Sequence, residues 1–147
     1  MQATALAKGL PLSDPGLAAL EKQARDQLYT TVASEVTEPA AQQLIRLDRM
    51  QGVQDFVGDV GNIVAVSSVP LTSQQGAQLA QILANASVSY HNGGDADPNT
   101  INWDIANEQA AALLSGPQFQ AFNYEATSLR WHDLLQQFYS RPPASSP

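Results

Sequence analysis

The chain has 147 residues, enough for one domain with its own core, since a chain of this length buries roughly two-thirds of the surface it exposes when unfolded. It has no cysteine, which excludes disulfides, thiolate metal sites and cysteine nucleophiles together. Its formal charge of -7 is unevenly spread: all seven Lys and Arg lie outside residues 50–129, so the clustered cations that phosphate backbones and anionic lipid demand are missing and nucleic acid is not an expected partner.

Residues 1–12 read as a flexible N-terminal arm, punctuated by Gly9 and Pro11, and carry neither the charged nor the apolar region of a signal peptide. A first helix is predicted from about Asp14 to Ser34. Its apolar positions Leu17, Leu20, Ala24, Leu28 and Val32 recur three and four apart, Leu12 can staple onto Leu17, and Glu21 and Arg25 form an i,i+4 pair on the solvated face.

A second helix is predicted to begin at Thr37, with Pro39 in its first turn. Leu44, Leu47, Met50, Val53, Val57, Val60 and Val64 continue at helical spacing. Gly52, Gly58 and Gly61 each cost about 1 kcal/mol in a helix interior. Two outcomes follow: a long helix whose glycines admit a close neighbour, or a helix ending near Gly58 followed by an extended segment at 62–69. The lack of a second strand for that segment to pair with favours the long helix, and Pro70 ends it either way.

A third helix is predicted from Ser73 to about Ser87, opened by Thr72 as N-cap with Gln75 reaching back to the cap, the reciprocal arrangement of a capping box. The polar stretch Tyr90 to Asn102 reads as the long loop. A fourth helix then starts at Asn102, with Trp103, Ala106, Ala110, Leu113 and Leu114 inward. A fifth starts at Ser115, Leu114 stapling onto Phe119, with Phe122, Ala126, Leu129, Leu134, Leu135 and Phe138 as its stripe. Residues 140–147 read as a disordered tail. The expectation is an all-α fold of four to five helices, an irregular bundle or hooked helical hairpins, forming a single domain over 13–139 that completes its core by homodimerising. No apolar run reaches the roughly 18 residues that span a bilayer, so no membrane insertion is expected.

Apolar residue, Ser or Thr, two spacers and Gln occur twice, as Leu71-Thr72-x-x-Gln75 and Leu114-Ser115-x-x-Gln118. The pair resembles the LTxxQ motifs of periplasmic stress proteins of the Spy/CpxP type. The resemblance implies an exported, often dimeric helical module acting as an ATP-independent holdase or a sensor partner, with Thr72, Gln75, Ser115 and Gln118 as structural caps. Two departures stand beside it: such proteins typically offer a basic cradle, and their metal-responsive members use His or Met clusters, whereas this chain has only His91, His132, Met1 and Met50.

Of the residues that could carry chemistry, Asp95-x-Asp97-x-Asn99 is the most suggestive, because oxygen ligands at alternate loop positions wrap hard cations such as calcium. It lacks the Gly and the bidentate Glu of an EF-hand loop, and an ordinary Asx turn is the competing reading. His132 beside Asp133 has no serine in a Gly-x-Ser-x-Gly setting, and Glu108 and Glu125 read as surface carboxylates. No catalytic residue and no cofactor are expected. The aromatics of the fifth helix cannot all face one way, so Phe122, Tyr124, Trp131 and Tyr139 are candidates for a protein- or peptide-binding surface.

Overall fold

The computed structural model describes residues 15–139, without the side chains at 15, 17, 18, 21, 133, 136 and 137. The expected arm, the Leu12–Leu17 staple, the Glu21–Arg25 pair, the Asp133 side chain and the tail all lie outside what is described. Within them the chain is all-helical, with no strand. The helices are α1 (Pro15–Glu35), α2 (Glu38–Arg49), α3 (Gln51–Val64), α4 (Ser73–Ala86), α5 (Val88–His91), α6 (Trp103–Leu113) and α7 (Gly116–Tyr139), with a 3-10 turn at Pro98–Thr100. The described chain divides between Leu47 and Asp48 into two compact units.

Seven helices stand where four to five were expected. Part of the difference is the single-turn α5 inside the expected loop. The rest is a break at Met50, where the predicted second helix becomes two. The break falls on no glycine. The Arg49 carbonyl accepts the N–H of Ala96, at 2.7 Å, from the loop that follows α5, and Met50 takes φ -94°, ψ 0° before α3 restarts from its carbonyl. Helix then continues through Val64, so the extended alternative for 62–69 does not form.

In the first unit, α1 is bound along its own length. Lys22 Nζ meets Asp26 Oδ2 at 2.8 Å, and the Thr30 and Thr31 hydroxyls donate back to the Asp26 and Gln27 carbonyls at 2.9 and 3.0 Å. Leu20 and Leu28 stay exposed, and among the described residues of this unit the buried apolar side chain is Ala41.

The second unit has the core. Here α3 packs on α4 and on α7, while α6 packs on α4 and on α7. Phe56, Trp103, Phe119 and Phe122 form its aromatic centre, Phe56 and Phe122 edge to face with centroids 5.9 Å apart. Val53, Val60, Leu79 and Leu83 are fully buried beside them. α4 and α6, which pack on each other, bury the small residues Ala80 and Ala84 from one and Ala106 and Ala110 from the other, side chains that let backbones come close. Gly52 serves a similar purpose at the start of α3: a Cβ there would stand 2.9 Å from the Ala96 carbonyl oxygen.

Candidate functional site

The two LTxxQ-like hooks meet. Each lies in a connection, the first between α3 and α4 and the second between α6 and α7, and each amide oxygen caps its own helix. Gln75 Oε1 accepts from the Thr72 N–H at 3.1 Å while Thr72 Oγ1 accepts from the Gln75 N–H at 3.1 Å, a complete capping box. Gln118 Oε1 accepts from the Ser115 N–H at 2.9 Å. The two amides then pair reciprocally across 43 residues of sequence, each Nε2 donating to the other's Oε1 at 3.2 Å. Gln118 Nε2 also stands 3.0 Å from the Pro70 carbonyl and 3.2 Å from that of Val69, so its two hydrogens serve three acceptors. Gln118 is 3% exposed and Leu114 is buried, while Leu71 packs on the edge of the same core. Every position of the motif thus bears on the joint. The leucine anchors it, the hydroxyl or backbone caps the helix, and the glutamine ties one hook to the other.

Residues 87–102 form a second self-contained knot. The hydroxyl oxygens of Ser87, Ser89 and Thr100 lie 2.8 to 3.0 Å from one another, and Thr100 Oγ1 donates to the Asp97 carbonyl at 3.0 Å. Ser89 Oγ donates to the Asp95 carbonyl. Asp97 Oδ1 accepts the Asn99 N–H at 2.9 Å and so starts the 3-10 turn. Of the cation candidates, Asp95 and Asp97 are thus half-buried in this knot and Asn99 faces solvent. Among the described residues no three His, Asp or Glu side chains gather to hold a metal.

Arg49 locks the knot to the helices. Its Nε and Nη2 donate to the Gly94 carbonyl at 2.9 and 2.8 Å, Nη2 donates to the Tyr90 carbonyl at 2.9 Å, and the guanidinium lies 4.4 Å over the Tyr90 ring. Gly93 turns the chain there with φ +84°. His91 Nε2 donates to the Asn85 carbonyl at 2.6 Å, an exposed tie at the end of α5. The arrangement is one of fastening.

The aromatics of α7 separate by face. Phe122 is fully buried in the core, packed on Phe56, Trp103 and Phe119, and is therefore withdrawn from the partner-binding candidates. Tyr124, Trp131 and Tyr139 are exposed, together with Leu134, Leu135 and Phe138. At about 100° a residue, Trp131 lies about 180° round the helix from Phe122. The inward stripe of Phe119, Phe122, Ala126 and Leu129 thus gives way, toward the C-terminal end, to an apolar stripe on the opposite side. Sequence reasoning had this divergence from the aromatic spacing; it missed Arg49, whose hydrogen-bond partners are backbone carbonyls, of Tyr90 and Gly94, that no side-chain pattern marks.

Neither a protein-family model, nor a characterised protein, nor a solved structure matches the chain.

Proposed function

We propose that this protein is a non-enzymatic helical module that binds proteins or peptides through apolar helix faces, with a holdase-like or sensor-partner stress protein as its specific form. The observation that carries the reading is the outward stripe of α7, where Trp131 is 61% and Phe138 71% exposed beside Leu134 and Leu135. Contiguous apolar surface of this kind usually marks a partner site, and indole and phenyl rings are the side chains that dominate such contacts. Leu20 and Leu28 of α1 and Leu44 and Leu47 of α2 add exposed apolar surface elsewhere on the chain.

The resemblance of the two hooks to LTxxQ stress proteins supports the same reading, and an extracytoplasmic location goes with it. A holdase of this type needs no pocket primed for chemistry. It needs rods with greasy sides, held at fixed angles, and the Gln75–Gln118 tie supplies a fixed joint between two of them.

The test is suppression of aggregation of a chemically unfolded client at near-equimolar ratio, followed by light scattering. Suppression is expected with the wild-type chain and its loss with Trp131→Glu, at unchanged far-ultraviolet circular dichroism. A folded wild-type protein that leaves client aggregation unaltered would overturn the holdase form.

A further inference from the structure

Asn92 is the only asparagine of the chain that precedes a glycine. An asparagine so placed is chemically labile, because the backbone nitrogen of the next residue can attack its side-chain amide and a glycine, without a Cβ, leaves that approach open. Here the pair is exposed, as are His91 and Gly94 on either side of it, and nothing lies within 4 Å of a Cβ at Gly93.

The same pair closes α5. The Gly94 N–H donates to the Ser89 carbonyl at 2.9 Å and the Gly93 N–H to the Tyr90 carbonyl at 3.1 Å, the two nested bonds of a Schellman turn, with Gly93 in the left-handed region at φ +84°. Arg49 grips that turn from outside, with Nη2 on both the Tyr90 and the Gly94 carbonyls and Nε on the Gly94 carbonyl. One guanidinium thus spans the stretch that contains the Asn92–Gly93 bond. Two residues beyond the turn, the Ala96 N–H makes the bond to the Arg49 carbonyl at which α2 stops.

We propose that Asn92 is a site of spontaneous deamidation and isomerisation, and that its product releases the Arg49 clamp. In the first step the Gly93 nitrogen gives up its proton and bonds to Cγ of Asn92, and the side-chain amide nitrogen leaves as ammonia, giving a cyclic imide. Water then opens the ring. Cleavage at the Asn92 backbone carbonyl leaves isoaspartate, whose main chain runs on through Cβ and Cγ; cleavage at Cγ leaves aspartate. Isoaspartate therefore inserts one extra carbon into the chain between Tyr90 and Gly94, and puts a carboxylate on a loop that already carries Asp95 and Asp97. The nested turn and the guanidinium fork both depend on the spacing of that stretch, so both are lost. Aspartate adds the charge alone.

The clamp also governs the rate. The Gly93 nitrogen attacks only when its N–H lets go of the Tyr90 carbonyl, so the reaction runs through local opening of the turn that Arg49 holds shut.

The test follows the wild-type chain, kept at physiological temperature and mildly alkaline pH, by peptide mapping, with isoaspartate read by enzymatic methylation. Amide loss is expected at Asn92 ahead of every other asparagine, with isoaspartate the larger product. It should be roughly 5- to 30-fold faster in Arg49→Lys, whose ammonium cannot fork over both carbonyls. An Asn92 amide that outlasts the other asparagines would overturn the site, and equal rates in the two chains would overturn the gate. The acidic fraction of the aged wild-type protein, collected by ion exchange, should show faster amide exchange at Ala96 and a lower urea midpoint than freshly purified Asn92→Asp, which carries the same charge on an unlengthened chain. Equal exchange and equal midpoints would overturn the release of the clamp. None of these readouts involves α7, so the binding-module reading is judged apart from them.

Discussion

Gln118 shows how much one side chain can hold. Its amide is buried and in contact with five protein groups: the Ser115 N–H, the Val69 and Pro70 carbonyls, and both polar atoms of the Gln75 amide. Removing it takes that partner from the Val69 and Pro70 carbonyls and from the Ser115 N–H, a loss of about 1–3 kcal/mol. Gln118→Ala should accordingly lower stability in urea melts by that amount, and Gln75→Ala, at a more accessible site, by less. Gln118→Glu adds a pH dependence. A buried carboxylate that faces carbonyl oxygens has its folded-state pKa raised, so the variant should recover stability at pH values below the unfolded carboxyl range and lose it as pH rises. Urea melts at about pH 4 and pH 7 check the sign. Arg49 is comparably committed, and Arg49→Lys, which cannot fork over Gly94 and Tyr90 or stack as a plane, should cost about 1–2 kcal/mol by the same measurement. The sequence made the glutamines legible because a capping box has a fixed spacing. It did not reveal their pairing, which depends on two connections 43 residues apart arriving at one point.

At the scale of elements, helix type and most boundaries were legible because apolar residues recur at helical spacing and caps punctuate them. The third predicted helix, Ser73 to about Ser87, is observed as Ser73–Ala86, and the Asn102 cap forms with its Oδ1 accepting the Ile105 N–H. The break at Met50 was not legible, since its cause is a backbone carbonyl drawn to a distant loop. The glycines of α3 show the same division. Gly52 faces the Ala96 carbonyl, whereas nothing lies within 4 Å of a Cβ at Gly58. Gly58→Ala should therefore stabilise by up to about 1 kcal/mol through helix propensity alone. Gly52→Ala should destabilise by about 1–3 kcal/mol because the backbone it meets must shift. Thermal melts of the two variants would show opposite signs, and equal shifts in one direction would contradict this reading of the joint.

For the whole molecule, the apolar spacing pointed to an all-helical chain and a last helix with two apolar sides, and both are seen. What composition could not reveal is which apolar residues find cover. Phe122 and Trp131 are equally plausible core residues by type, and only the turn of α7 against α3 and α6 buries one and leaves the other out. The second unit is on this account a set of rods tied at their ends by amides and loops, with an uncovered apolar side of α7 turned outward. The chain has two tryptophans, so Trp103→Phe makes Trp131 the sole indole reporter. Its emission should be recorded as the protein is concentrated from nanomolar to about 100 μM, and as unfolded client is added at the dilute end. The expected result is a saturable blue shift in either series, as the indole leaves water for a protein surface. Emission that stays at the solvent-exposed wavelength throughout would contradict the claim that the outer side of α7 is where this protein meets others.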